Sequence, residues 1–228
     1  MITELRYSRN IRALSAAESE SLRRKKVCVV GLGGLGGYIV EILARIGVLN
    51  ITAVDYDVFE ESNLNRQLFS TEAFLGRPKT GGAMERIAQV NSSVRLNLVK
   101  EKLGEDNAAA IVQGHDCVVD ALDNIPARLI LEAACEAQNI PLVHGSIAGW
   151  FGQAACIFPG DRLLHKVYKN ARAEKGVEKE LGNLPFTASV IASIQAAETV
   201  KILCGRQVLR NALVQVDLLD SEFNVVNL

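Results

Sequence analysis

Short runs of apolar residues alternate with helix-like periods along the first two thirds of the chain. Four β-type residues that begin at Val27 lead into a glycine-rich turn, and the segment after the turn carries Leu35, Ile39 and Leu43 on one helical face. Alternation of this kind favours an α/β fold, with a Rossmann-like, doubly wound and mostly parallel sheet that has helices on both faces. The pattern predicts strands over about residues 27–30, 50–54, 94–99, 116–120 and 141–144, and helices over about 35–46, 78–90, 105–112 and 124–138.

The pattern changes after Trp150. Residues 152–158 follow the fifth strand too closely for a helical crossover, which predicts an antiparallel strand. A helix over 185–203, ended by Gly205, and a β-hairpin over 212–228 then complete an antiparallel C-terminal extension. The helix carries Phe186, Val190, Ile194 and Ala197 on one stripe and Gln195, Glu198 and Lys201 on another.

Composition argues against several classes of function. The 25 Lys and Arg residues nearly balance the 26 Asp and Glu residues, so no overall basic charge would attract nucleic acid or an acidic membrane. The charged beginning of the chain differs from a secretory signal, which indicates a cytoplasmic protein with neither nucleic acid nor membrane as a partner. The five cysteines form no C-x-x-C pair and read as reduced core residues, so no zinc is expected.

The glycine-rich turn is the first candidate binding site. The stretch VCVVGLGGLGG, residues 27–37, runs from a strand through a tight turn into a helix. Glycine lets the backbone approach a ligand closely, and free N–H groups at a helix N-terminus attract phosphate. Asp55, about 20 positions further on, stands where a ribose hydroxyl would be held. The turn therefore predicts a nucleotide site with Gly31, Gly33, Gly34 and Gly36 in the phosphate cradle, although glycines also serve packing alone.

Polar groups at other strand ends extend this candidate site. A triphosphate needs cations, which Arg66 and Lys79 can supply, and Asp123 is a suitable hard oxygen ligand for Mg²⁺. Each residue has a plainer alternative, since the cations suit a solvated surface and Asp123 suits a helix cap. The candidate groups are Asp55 with Asp57, the loop of Ser62, Asn63, Leu64, Asn65, Arg66 and Gln67, then Lys79, and the pair Asp123 and Asn124.

Six stretches occur in an order and at spacings that are typical of one protein family. They are RYSRNI, GLGGLGG, VDYDVFEESNLNRQ, GRPK, DALDN followed by Arg128, and ASIQAAETVKIL. With them the sequence resembles the MoeB/ThiF/HesA family, the bacterial relatives of ubiquitin-activating enzymes. The resemblance implies a homodimer that binds MgATP and adenylates the C-terminal glycine of a ubiquitin-like sulfur carrier such as MoaD or ThiS. The product would serve molybdopterin, tungstopterin or thiamine biosynthesis.

The resemblance also implies roles for individual residues. Gly34 would lie at the phosphates, Asp55 would hold the ribose, and Asn124 would lie beside the nucleotide. Residues 62–66 would supply further phosphate contacts. The four implied catalytic residues are Arg66 and Lys79, which bind phosphates, Asp123, which ligates Mg²⁺, and Arg9, which reaches across the dimer into the partner's site.

We therefore expect residues 1–228 to form a single adenylation domain. Residues 1–26 would form an N-terminal arm and a helix capped by Ser15 and Glu18, and residues 27–158 the nucleotide-binding core. The charged residues 159–184 would form an exposed, mobile crossover loop, followed by the helix and hairpin of 185–228. Because that loop has no cysteine, we expect the reaction to stop at the acyl adenylate, with sulfur supplied by a separate donor protein.

Three alternatives remain open at this stage. The glycines and Asp55 alone permit a nicotinamide- or flavin-dependent oxidoreductase, although the cations after the second strand suit a triphosphate better. A non-catalytic scaffold that binds the carrier would leave those cations unexplained. A tRNA-modifying relative of the same family is less favoured, because the chain has no basic stripe.

Overall fold

The computed structural model describes residues 4–168 and 178–227. Within them the strands are β1 (Lys26–Val30), β2 (Asn50–Val54), β3 (Arg95–Val99), β4 (Cys117–Asp120), β5 (Leu142–Ala148), β6 (Phe151–Ile157), β7 (Ala212–Asp217) and β8 (Glu222–Asn227). The helices are α1 (Ala16–Arg24), α2 (Gly36–Ile46), α3 (Lys79–Val90), α4 (Ala108–Val112), α5 (Ile125–Ala137), α6 (Leu163–Tyr168), α7 (Glu178–Leu181) and α8 (Pro185–Cys204).

The eight strands form one sheet in the order β3-β2-β1-β4-β5-β6-β7-β8. Strands β1 to β5 pair in parallel, whereas β6, β7 and β8 add antiparallel pairs at one side. Val30 lies opposite both Val54 and Asp120, so the carboxyl ends of β1, β2 and β4 meet at one edge of the sheet. The predicted α/β fold with an antiparallel extension is confirmed.

Alternate residues of the central strand face two separate cores. Val27 and Val29 of β1 pack with α2 and α8 residues such as Leu43 in one buried cluster. Cys28 belongs to a second cluster on the opposite face, with α4 and α5 residues. A strand buried on both faces reads as a continuous apolar run, which is why this part of the sheet is visible in the sequence.

Helix α8 lies deeper in the fold than its apolar stripe predicts. Gln195 and Glu198 are buried, whereas Phe186 is 40% exposed and Ala197 is also exposed. Gln195 Nε2 donates to Asp120 O at 2.7 Å, and Glu198 Oε2 accepts from the Leu209 N–H at 3.0 Å. The predicted division into stripes is therefore wrong, because tertiary hydrogen bonds bring polar side chains inside. By length and composition α8 passes as a membrane span, and more than half of that stretch is buried inside this fold.

Residues 5–10 of the predicted N-terminal arm are anchored on the core. A 3₁₀ helix, Leu5–Asn10, buries Tyr7, whose hydroxyl accepts a hydrogen bond from Asn91 Nδ2 at 2.8 Å. The following helix begins with the predicted capping box of Ser15 and Glu18. A tyrosine that packs into a fixed position gives this segment a defined place on the core.

The predicted crossover loop contains helical residues. Leu163 and Leu164 of α6 are buried, and the Leu164 N–H donates to Glu132 Oε1 at 2.7 Å. Helix α7 lies at the other end of the segment. The prediction of an exposed loop is wrong for α6, because a carboxylate of α5 satisfies the first N–H groups of that helix. Residues 169–177 of the predicted mobile loop lie outside the described residues.

Candidate active site

A cleft of about 730 Å³ opens at the edge where the parallel strands end. Its volume lies in the range of small-molecule sites, and in doubly wound sheets ligands bind at this edge. Ten of the predicted site residues line it, namely Gly31, Gly33, Gly34, Asp55, Asp57, Arg66, Gln67, Lys79, Asp123 and Asn124. The structure therefore brings together residues from five separate parts of the chain.

The glycines of the turn fall into two groups. Gly31 has φ of +99°, and a Cβ at Gly36 would lie 1.8 Å from Gly31 O, so tight packing of the turn requires both residues. Gly36 does not line the cleft wall. Gly33 and Gly34 line the cleft, and a Cβ at either position would make only ordinary van der Waals contacts, the shortest being 3.5 Å from Gly34 to Arg66 Cγ. These two glycines form a shallow cradle at the N-terminal end of α2, which suits phosphate.

Asp55 ties the glycine turn to the end of β2. Its Oδ2 accepts from the Leu32 N–H at 2.7 Å, and its Oδ1 accepts from the Asp57 N–H at 2.8 Å. Burial raises the pKa of this carboxyl group, and the positive charge of Lys79 opposes that rise. Each carboxylate oxygen can accept a further hydrogen bond, so Asp55 remains able to hold a hydroxyl group.

Lys79 supplies a buried cation at the first residue of α3. Its side chain is 8% exposed, and its Nζ lies 3.1 Å from Asp57 Oδ2. The Asp57 side chain is 46% exposed, so this ion pair is buried at the Lys79 end and exposed to solvent at the Asp57 end. An anionic ligand can approach an ammonium held in this way without first removing a buried partner.

Arg66 supplies the second cation and lies across the glycine cradle. Its guanidinium donates to Ser62 O at 2.9 Å and to Asn65 Oδ1 at 2.9 Å. Burial lowers the pKa of Arg66, whereas the negative charge of Asp123 raises it. Asp123 therefore lies close enough to Arg66 for their charges to interact.

The loop before Arg66 lies behind the cleft wall. The residues Ser62, Asn63, Leu64 and Asn65 do not line the cleft. Their polar groups bond to other parts of the protein, and Asn65 Nδ2 donates to Asn183 O at 3.0 Å. Asn63 Oδ1 accepts from the Glu60 N–H at 3.1 Å, for example. In this arrangement the loop orients Arg66. The predicted contact of residues 62–65 with phosphate stays a prediction.

Gln67 is a buried polar side chain that faces the cleft. It is 6% exposed, and its Oε1 lacks a hydrogen-bond partner among the described residues. A buried amide oxygen without a partner costs free energy, and such groups cluster at binding sites. Gln67 thus offers an additional acceptor beside the glycine cradle.

Asn124, and not Asp123, caps helix α5. The Asn124 Oδ1 accepts from the Ala127 N–H at 2.9 Å. The helix-cap alternative for Asp123 is therefore wrong, and its carboxylate lines the cleft on the side of Arg66. No cluster of three acidic, histidine or cysteine residues that could hold a metal occurs among the described residues. A single carboxylate fits Mg²⁺, which is bound through one or two carboxylates, water and substrate phosphates.

Arg9 lies away from the cleft, near the opposite end of α2. It is exposed in the 3₁₀ helix that packs at the far end of α2, where Asn10 Nδ2 donates to Ile46 O at 3.3 Å. Helix α2 has 11 residues, which separates this end from the glycine turn by about 16 Å. Arg9 is thus not part of its own chain's cleft.

Several residues of the cleft were not predicted. Tyr56 lies between two predicted aspartates, and Glu101, Lys102 and Leu103 follow the carboxyl end of β3. The rule that strand ends face the ligand would have found the second group. Arg128 lines the cleft from α5, and in the sequence it stands out only as part of a motif.

Comparison with known proteins extends over nearly the whole chain. The SAMP-activating enzyme E1 of Haloferax volcanii is 35% identical over 230 residues, which covers 97% of this chain and 84% of that protein. The molybdopterin-synthase adenylyltransferase of Escherichia coli K12 is 35% identical over 211 residues, with 88% and 82% covered. E. coli MccB with ATP has the same fold, with a TM-score of 0.83 at 20% identity and with 99% of this chain and 72% of that chain covered. The ThiF family matches residues 7–228, and the chain belongs to this family.

Proposed function

We propose that this protein binds MgATP in the cleft and adenylates the C-terminal glycine of a ubiquitin-like sulfur carrier of the MoaD or ThiS type. Its relatives include a molybdopterin-synthase adenylyltransferase and a SAMP-activating enzyme, so the chain is an ATP-using adenylyltransferase. The observation that carries the proposal is that Arg66, Lys79 and Asp123 line the same cleft as the glycine cradle. An oxidoreductase would need none of these three residues.

The chemistry requires charge neutralisation more than proton transfer. A glycine carboxylate is ionised at neutral pH, so its oxygen attacks the α-phosphorus without a general base. The bond between the α-phosphorus and its bridging oxygen breaks, and pyrophosphate leaves with the electron pair. Because two anions must meet, alignment and electrostatic stabilisation supply the catalysis.

Different residues of the cleft bind the phosphates, the ribose and the metal ion. Gly33 and Gly34 leave room for phosphate at the N-terminal end of α2, and Asp55 accepts a ribose hydroxyl. Arg66 and Lys79 neutralise phosphate charge from two directions. Asp123 would hold Mg²⁺, which would supply further neutralisation of the phosphates when bound.

The site is completed by a second copy of the chain. Arg9 lies about one helix length from its own cleft, is exposed, and sits in a segment fixed by Tyr7. Such a residue can serve a cleft only in another protomer. We therefore propose a homodimer in which each Arg9 approaches the phosphates bound by the partner.

The adenylate is the final product of this chain. Four of its cysteines are buried, and burial raises their thiol pKa, to about 12 for Cys28. A protonated, buried thiol is a poor nucleophile. Sulfur would therefore come from a separate donor protein that attacks the acyl adenylate.

Calorimetric titration tests the proposal directly. The protein should bind ATP in the presence of Mg²⁺, with little affinity for NAD or FAD. With a MoaD-type or ThiS-type carrier it should exchange labelled pyrophosphate into ATP. Tight NAD binding without ATP binding would contradict the proposal, and mass spectrometry of co-purified proteins would identify the carrier.

A further inference from the structure

We infer that Arg128 is a positioning residue, which holds the turn at residues 121–124 so that the Asp123 carboxylate points at the bound cation. The inference rests on the proposed function, since it concerns the Mg²⁺ that Asp123 would hold. It is carried by the contacts that two buried charged side chains make with the backbone N–H and carbonyl groups of Leu122, the residue just before Asp123.

Leu122 is held at both its backbone polar groups. Its N–H donates to Asp120 Oδ1 at 2.9 Å, and its carbonyl oxygen accepts from an Arg128 guanidinium nitrogen at 2.7 Å. Asp123 is the next residue along the chain. Its backbone direction is therefore set by a carboxylate on one side and a guanidinium on the other.

Asp120 and Arg128 are themselves held rigidly. Asp120 is fully buried, and its Oδ2 lies 2.7 Å from His144 Nδ1 and 3.6 Å from Arg128 Nε. The Arg128 side chain is 9% exposed, and a second guanidinium nitrogen donates to the Tyr168 hydroxyl at 3.4 Å. These contacts on different sides fix the plane of the Arg128 guanidinium. A flexible arginine on the surface would lack such contacts.

A buried ion pair of this kind is a costly way to stabilise a fold. Apolar residues of similar volume often stabilise a core as well or better. The guanidinium fork, however, bonds a carbonyl oxygen while it lies beside a carboxylate, and an apolar side chain or a lysine cannot do both. The arrangement is therefore explained by orientation of the turn, because outer partners that orient a metal ligand control metal affinity.

The test compares R128M and R128K with a matched control, R86M. Arg86 pairs with Glu41 through two nitrogen–oxygen contacts of 2.8 and 3.0 Å, remote from the turn. ATP binding is measured by calorimetry over a range of Mg²⁺ concentrations and again in EDTA. Hydrogen exchange of the 120–124 peptide is measured on the ligand-free protein.

The R128M variant should need about tenfold more Mg²⁺ for half-maximal ATP binding, with its ATP affinity in EDTA changed by less than about twofold. Exchange in the 120–124 peptide should quicken by about tenfold. The R86M variant should match the wild type in both measurements. R128K keeps the charge beside Asp120 but loses the fork, so it should also need more Mg²⁺.

Three results would overturn the inference. A wild-type Mg²⁺ requirement in R128M would show that the turn does not need Arg128, and an equal loss of ATP affinity in EDTA would make Arg128 a direct nucleotide contact. A wild-type Mg²⁺ requirement in R128K would show that only the positive charge of Arg128 matters, as a balance for Asp120. If R128M does not fold, D120N is tested in its place. It should show the same rise in the Mg²⁺ concentration that half-maximal ATP binding requires. If the wild type binds no MgATP, the proposed function fails, and hydrogen exchange still decides whether Arg128 holds the turn.

Discussion

The two edges of the parallel sheet use polar side chains in opposite ways. At the amino edge the polar groups are paired, as where Asp116 accepts from Lys25 Nζ and from the Lys26 N–H, both at 2.8 Å. At the carboxyl edge Gln67 Oε1 is buried without a hydrogen-bond partner among the described residues. The first edge stabilises the chain, and the second is organised for a ligand that supplies the missing partner.

The largest effect should come from the acidic residue of the carboxyl edge. We expect Asp123→Ala to lower pyrophosphate exchange at least about 100-fold, because it removes the proposed Mg²⁺ ligand. Its melting temperature should stay near that of the wild type, since Asn124 provides the helix cap. Glu20→Ala, which removes a surface carboxylate of α1, is the matched control and should keep its activity.

Normal exchange by Asp123→Ala would contradict the proposed metal site. The same result would also remove the contrast between the edges, because the carboxyl edge would then hold a dispensable charge. Unfolding of this variant would instead assign Asp123 to stability.

The second prediction concerns Arg9, which is an exception to the contrast between a stabilising amino edge and a ligand-binding carboxyl edge. Arg9 lies at the amino edge, yet it is proposed to act in the partner's cleft. Arg9→Ala and Lys79→Ala should each be inactive and dimeric, whereas a mixture should regain activity. With free exchange of chains half the dimers are mixed, and each has one intact site, which gives at most about a quarter of wild-type activity.

Mass spectrometry of differently labelled chains is the control for this mixture. If mixed dimers form but no activity returns, then Arg9 acts in its own chain or outside catalysis. If Arg9 proves to lie outside catalysis, the amino edge would serve stability alone, and the contrast between the edges would be complete.

The third prediction concerns stability at the amino edge. Asn91 is 2% exposed, and its Nδ2 donates to the Tyr7 hydroxyl and to Ala44 O, each at 2.8 Å. Asn91→Ala should lower the free energy of unfolding by about 2 kcal/mol, because buried groups lose their partners. Urea denaturation measures this loss, and exchange activity should be unchanged while the protein remains folded.

Asn97→Ala provides a matched control for that measurement. Asn97 is exposed on β3, so its replacement should change the free energy of unfolding by less than about 0.5 kcal/mol. An equal loss in both variants would show that the buried hydrogen bonds of Asn91 contribute nothing special.

The parts of the fold that local sequence determines were predicted well. The run at Val27 and the run that ends at Asp120 are buried on both faces, so their apolar character alone marks them as strands. The capping box at Ser15 is likewise a local signal, which the structure confirms. Glycines, strand ends and an acidic residue after β2 were enough to find the cleft, because parallel strands bring those positions to one edge.

The errors have a common physical cause in contacts between distant residues. Helix α6 depends on Glu132, which lies 32 residues before Leu164, and no local pattern reveals that bond. The buried face of α8 depends on Gln195 reaching Asp120, 75 positions away. Tyr7 likewise gains its place from Asn91. Polar side chains buried by such bonds look like surface residues in the sequence.

The smallest effect should come from the cysteines. Replacing all five by alanine or serine should leave pyrophosphate exchange within about twofold of the wild type, provided that the variant folds, because no thiol takes part in adenylation. Cys204 is the most accessible, and burial raises its pKa as well. It lies 16 residues beyond Ala188, which borders the glycine cradle, and therefore about 24 Å away along α8. A folded Cys204→Ser variant that loses exchange, or a carrier adduct that dithiothreitol releases, would show that this thiol takes part in covalent catalysis.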